Sequence, residues 1–203
     1  NDRNRFLTTA LDVLDQVDLS VAAPPTTIGD EYDVIVYSNV DTDALLPGNV
    51  EAGSDLLADG GGVAIQAQRD YPDGYGDLSL IEPIGLVPTQ SVATTVQSDL
   101  PRGIDFQPPD ETLAGDLRAG EALVELRDGS PLIATDDRDG GRVLYYGYIE
   151  DASTFKYNYQ YPVFWKRAVD HLAGRESLAE RNRRTGATVR LDTETRVRTP
   201  DGS

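Results

Sequence analysis

The chain has no cysteine and no methionine, one histidine and two lysines in 203 residues. Without cysteine it has no disulfide framework, no thiol nucleophile and no thiolate metal site. No apolar run approaches the ~18 residues that a membrane span requires, and no secretory signal stands at the start. Positive charge is scarce. Eighteen Lys and Arg face 35 Asp and Glu, for a net charge of −17. Nucleic-acid binding needs a basic footprint, and this sequence offers none.

What is present is acid, spread along the whole length. Asp outnumbers Glu, and Arg stands in for Lys, of which only Lys156 and Lys166 occur. That combination is expected of a protein adapted to molar salt. High charge density keeps the chain dissolved while salt screens its self-repulsion. Acid meant for a basic partner or for metal ions would cluster instead. With 39% hydrophobic residues the chain can bury a core, and its length suits one domain with an appendage. It opens in mid-helix without an initiator Met and closes on a polar, strand-like tail, as expected of a piece of a longer protein that could include membrane spans.

The apolar pattern alternates between helix and strand periods. Phe6, Leu7, Ala10, Leu11 and Leu14 make one face of a helix over 3–16. Val17, Leu19 and Val21 alternate with polar residues and predict an edge strand beside the next one. Asp33–Tyr37 reads as a strand covered on both faces. Residues 49–58 read as a helix with Val50, Leu56 and Leu57 inward, stopped by Gly60-Gly61-Gly62, where left-handed φ is cheap only for glycine. Val63–Ala67 is the next, parallel strand, and 69–85 reads as loop. Ser91–Gln97 reads as a strand. Ala122–Arg127, Pro131–Thr135 and Arg142–Tyr148 are further strands joined through Asp-Gly turns. Pro162 opens a last helix that Gly174 ends, with Phe164, Trp165, Ala168, Val169 and Leu172 on its apolar face. Residues 1–174 thus form an α/β domain, and 175–203 a linker with the start of a following β module or a docked tail.

In an open α/β sheet, chemistry sits at the carboxyl ends of the strands. There the sequence places Ser38, Asn39, Gln66, Gln68, Tyr148 and Asp151, with Glu150 beside the last. These form the candidate ligand groove. Glu150 and Asp151 are adjacent, so an extended chain points them apart and disfavours a carboxylate dyad. Asp70, Asp73 and Asp77 in a glycine-rich loop are a weak candidate for calcium, lacking EF-hand spacing. Otherwise no metal and no cofactor is expected. His171 reads as a surface residue near a helix C-terminus, where a cation is mildly favoured. The triple glycine is no phosphate cradle, because it runs from helix into strand. Of Tyr145, Tyr146, Tyr148, Tyr157, Tyr159 and Tyr161, alternate rings are expected under the sheet with hydroxyls reaching the surface.

Leu56-Leu57-Ala58-Asp59-Gly60-Gly61-Gly62-Val63 and Gly141-Arg142-Val143-Leu144-Tyr145-Tyr146-Gly147 resemble the class I glutamine amidotransferase-like domains. The nearest branches are the trehalose-utilisation-like members and the version embedded in large membrane proteins with von Willebrand A domains. Tyr148-Ile149-Glu150-Asp151, Tyr161-Pro162-Val163-Phe164-Trp165 and Leu172-Ala173-Gly174 are similar to the close of the second. Thr185-Gly186 and Pro200-Asp201-Gly202 are similar to the lead into its next β module. The resemblance implies a flavodoxin-like three-layer sandwich, with a mostly parallel central sheet and a closing β-hairpin and helix. It also implies where catalysis would sit. In catalytic relatives a Cys follows the strand that here is Val63–Ala67, and a His follows the strand ending at Tyr148. Gln66 or Ala67 stands in the first place and no His in the second, so acyl transfer has no nucleophile.

The expectation is a non-catalytic binding or assembly domain of a larger, membrane-tethered protein, with partners among proteins or other domains of its parent chain. The alternatives are a carbohydrate-binding or hydrolytic domain using the strand-end residues, or a calcium-dependent surface module.

Overall fold

The computed structural model describes residues 4–88, 91–96 and 98–175. Three α-helices and eight strands follow in the order α1 (Arg5–Asp12), β1 (Val34–Tyr37), α2 (Pro47–Ala58), β2 (Gly62–Gln66), β3 (Ile81–Pro88), β4 (Val92–Thr94), β5 (Glu111–Leu117), β6 (Glu121–Leu126), β7 (Pro131–Arg138), β8 (Gly141–Tyr146) and α3 (Gln160–Leu172). Six strands make one sheet in the order β1-β2-β8-β7-β6-β4, while β3 and β5 pair as a separate ribbon. β1, β2 and β8 run parallel. From β8 outward the pairing is antiparallel. The sheet is therefore mixed, with two parallel pairings of five, where a mostly parallel one was expected. Its antiparallel half is built by short turns. Asp139 and Gly140 both take left-handed φ (55° and 91°) between the paired Arg138 and Gly141, which lets β7 return directly as β8.

Alternation along the buried strands divides the interior in two. Val143 and Tyr145 face the core that holds Leu57 of α2, Tyr37, Val63, Ile65 and the residues leading into β3. Leu144 and Tyr146 face the opposite core, with Leu7 and Leu11 of α1 and Phe164, Trp165 and Leu172 of α3. The second core is aromatic. The Tyr146 ring lies 5.0 Å from Trp165 and 5.3 Å from Phe164, and Tyr148 stacks on Phe155 at 5.2 Å. Burying each such ring contributes roughly 1.5–3 kcal/mol, which makes α3 the main clamp on that face.

The triple glycine does more than stop α2. Gly60 takes φ 88°, and the amides of Gly60 and Gly61 close on the carbonyls of Leu57 and Leu56. A Cβ on Gly62 would stand 2.5 Å from both Cβ and O of Leu172, so glycine there lets the end of α3 touch the strand.

Two further expectations change. Residues 17–21 form no strand. Val17 and Leu19 pack against the aromatic core, but Val21 is 70% exposed and 17–21 has no ladder partner among the described residues, within which β1 is the sheet edge. Alternation supplied the half-burial without the hydrogen bonds. Conversely, β3 lies partly in the segment read as loop, because Pro83, Gly85 and Pro88 mask its period; β5 likewise carried no clear signal. Residues 176–203, read as linker and β module or docked tail, lie outside the described residues.

Candidate functional site

Where β1, β2 and β8 end, their last residues leave the ladder and turn side chains toward one another. Gln66 closes β2 and is fully buried. Its Nε2 donates to the Tyr148 carbonyl at 3.0 Å and to Glu150 Oε2 at 3.4 Å, which occupies both amide hydrogens. Its Oε1 accepts from the Ser38 hydroxyl. Asn4, just ahead of α1, completes the group. Its Nδ2 donates to the Ser38 carbonyl at 2.9 Å, and its Oδ1 accepts from Asn39 Nδ2 at 2.6 Å, with Ser38 Oγ 3.1 Å away. Asn39 holds φ 47°, a left-handed conformation that Asn tolerates, at the point where the chain leaves β1.

Gln68 plays a different part. Its Oε1 accepts from the Val40 amide at 2.9 Å, while Nε2 donates to the carbonyls of Val40 (2.8 Å) and Asp70 (2.5 Å). The side chain mimics a strand partner and ties two loops together, with no polar atom left over. Tyr148 turns its hydroxyl away from Gln66, toward the Gln107 carbonyl at 2.7 Å. Asp151 points outward and sits 3.5 Å from Arg69, which also pairs with Glu111. The structure thus gathers Ser38, Asn39 and Gln66, adds Asn4 and Glu150, and sets Gln68, the Tyr148 hydroxyl and Asp151 apart. Asn4 escaped sequence reading, although Asn just before an apolar helical stripe is a familiar N-terminal signal.

Among the described residues Glu150 is the one buried acidic residue. Burial raises its carboxyl above the usual range, and nearby Asp151 adds to that; Lys156 and the Gln66 amide oppose it. The Lys156 ammonium donates to the Glu150 carbonyl and lies over the rings of Phe6 (5.5 Å) and Tyr157 (5.4 Å). Chemically the arrangement holds a proton on Glu150 readily but gives Ser38 no base. Its side-chain partners are carboxamides, which neither take nor release a proton near neutral pH.

Other expected positions resolve as follows. Among the described residues no three His, Cys, Asp or Glu gather closely enough to hold a metal ion, so Asp70, Asp73 and Asp77 build no cage. Asp70 is engaged through its carbonyl, to Gln68 and to Thr42 Oγ1 at 3.0 Å, and the Asp77 carbonyl accepts from Arg138 at 2.6 Å. His171 is no surface cation. It is half-buried with Nε2 2.9 Å from Thr135 Oγ1, and burial, then Arg142, pushes its pKa down against a weaker pull from Asp137. The cation at that helix end is Arg142, which donates to the His171 carbonyl at 2.6 Å. Tyr145, Tyr146, Tyr148 and Tyr161 are all buried, while Tyr157 and Tyr159 are exposed, so adjacent rings split between two cores and do not alternate with solvent.

A family model described as "Domain of unknown function (DUF7408)" matches residues 1–168. The chain belongs to the DUF7408 family. A second, "Domain of unknown function (DUF7406)", matches residues 175–203. No curated protein matches significantly. Among solved structures, the DUF7408 fold is similar to "Cytoplasmic Protein STM1381 from Salmonella typhimurium LT2", with TM-score 0.69 and 14% identity, covering 83% of this chain and 86% of that one. "Cytoplasmic Protein STM3548 from Salmonella typhimurium" gives TM-score 0.68 and 14% identity over 83% and 86%. At those identities the likeness concerns fold alone. A cold-adapted β-galactosidase from Rahnella sp. R3 reaches only TM-score 0.47, with 15% identity over 69% of this chain and 23% of that one, and carries no argument.

Two of the clefts among the described residues lie away from the strand-end residues. One, of about 330 Å³, lies at the opposite end of the parallel strands, between α2 and the turn of Gly60 and Gly61. The other, of about 250 Å³, lies between Tyr71, Ser79, Glu82 and Arg118. Among the described residues no helix is long and apolar enough to cross a membrane.

Proposed function

We propose that this DUF7408 domain is a non-catalytic binding or assembly module, an amidotransferase-like fold whose reactive position has been given over to structure. The observation that carries the reading is Gln66. Where the resemblance calls for a nucleophile at a strand end, a buried amide spends both hydrogens and its oxygen on Tyr148, Glu150 and Ser38. A site so knitted leaves a substrate nothing to displace without breaking several buried hydrogen bonds, each broken partner costing about 1–3 kcal/mol. Helices α1 and α3 on one face of the sheet and α2 on the other support the finer, flavodoxin-like description of the architecture. The spread acid supports function in molar salt, and the family change after residue 168 supports a protein of more than one domain.

The test is direct. The full chain in concentrated KCl is offered glutamine and a panel of chromogenic α- and β-glycosides, with hydrolysis followed over a day. No turnover above buffer is expected. Turnover that disappears in Glu150→Gln would replace the assembly reading with the hydrolase one.

A further inference from the structure

Residues 83–98 are the longest uncharged run in the chain, 16 residues where the next longest, 19–29, has 11. In a protein with 26% charged residues, a run of that length is expected in a core. This one is surface. Of its described residues, 83–88, 91–96 and 98, none is buried, and Ile84 and Leu86 are 71% and 42% exposed. The acids that flank it are paired. Glu82 lies 3.5 Å from Arg118 and Asp99 2.7 Å from Arg102, while Glu111, opposite Pro88 on β5, pairs with Arg69.

Both strands of the run are edges. β3 pairs only with β5 and β4 only with β6, so among the described residues each has one open side. Proteins commonly guard such edges with charge, and here there is none. β3 carries Pro83 and Pro88 instead, with its register shifted at Ile84. The prolines withhold two amides and the bulge bends the strand, which stops a ladder from running on. Neither device covers the apolar side chains.

We infer that this face is where two copies of the chain meet about a two-fold axis, Ile84 and Leu86 of each β3 packed against those of the other. Charge decides the occupant. Two chains of −17 repel wherever acid faces acid, and an uncharged run with paired ends keeps that repulsion small. A strongly charged partner would gain nothing from it. Two-fold symmetry lets one patch serve both chains, and the missing amides keep the contact from extending into a filament. Molar salt favours it further by screening the acid elsewhere. The inference rests on the assembly reading and names its partner. Turnover of glutamine or glycosides would sink that reading and leave the dimer standing, whereas a monomer would sink only the dimer.

Sedimentation equilibrium of the full chain in concentrated KCl, over a wide range of protein concentration, reads the association. A monomer–dimer equilibrium is expected, tightening as KCl rises. Ile84→Asp and Leu86→Asp each set an acid against its own copy at a position already open to solvent, so the fold is kept and association weakens about tenfold or more. Val13→Asp, the same change at a 64% exposed residue closing α1, leaves association as it was. A chain that stays monomeric, an assembly larger than a dimer, or a dimer that Ile84→Asp and Leu86→Asp leave intact overturns the inference. So does association that weakens as KCl rises, which would mean that ion pairs hold it.

Discussion

The two ends of the three parallel strands are closed in different ways. At the carboxyl end polar side chains close the gap. Ser38, Asn39, Gln66 and Asn4 bond to one another above a buried Glu150. At the amino end backbone closes it. Gly62 lies against Leu172, and a Cβ on Gly141 would meet the Gly61 carbonyl at 2.4 Å and the Leu57 carbonyl at 2.7 Å. The first closure spends polar groups to fill space. The second removes side chains so that helix and strand ends touch, and beside them it leaves an open acidic cleft. The end where this architecture would hold its chemistry is thus plugged, and the other end is available.

Breaking the glycine closure should have the largest effect. Gly62→Ala drives a methyl into Leu172 Cβ and carbonyl, which cannot both move without lifting α3 from the aromatic core. A loss of about 3 kcal/mol is expected in urea unfolding, at the upper end for overpacking. Gln66→Leu keeps the volume but leaves Glu150 and the Tyr148 carbonyl without their donor. About 2 kcal/mol should be lost. An unchanged midpoint would mean that the polar plug is incidental.

Two titrations sharpen the contrast between the ends. Burial raises the Glu150 pKa, so its protonated form is favoured in the fold. Its stabilising contribution is full below the unfolded carboxyl value of ~4.3 and is lost as pH rises through the folded value. Glu150→Gln keeps an acceptor for Gln66 without the charge and should raise Tm at pH 7, the gain shrinking toward pH 4. His171, near the amino end, runs the other way. Its lowered pKa favours the neutral ring, so its contribution is full above ~6.5 and is lost as pH falls through the folded value. Against wild type, His171→Gln should flatten stability between pH 7 and 5, a smaller effect because the ring is only half-buried. If both variants shift stability in the same direction with pH, the burial assigned to one of the two groups is wrong.

Much of this was legible in the residue pattern because it depends on local rules. The stripe from Phe6, the β-branched run before Tyr37, the stop at Gly60 and the Asp139-Gly140 turn each specify structure within a few residues and stand where expected, although the first helix ends at Asp12, short of Leu14. The strand-end position of Ser38, Asn39 and Gln66 was likewise readable, since strand ends follow from strands. Their mutual bonding was not, and neither was the part of Asn4, 34 residues away from Ser38. Gln68 looked like a groove residue and is a loop tie, because which acceptors it meets depends on how the segments around Val40 and Asp70 fold back.

The sequence by itself determined the types of the three helices and of the parallel strands, the glycine stops, the acid excess and the absence of a thiol, all properties of single residues or short windows. Tertiary structure alone decided that residues 17–21 stay out of the sheet, that β7 and β8 turn half of it antiparallel, and that His171 is shielded. It also decided that Gln66 is used up by its neighbours. Ladder partners, burial and hydrogen-bond acceptors come from chain segments distant in sequence, and no local pattern encodes which of them will meet.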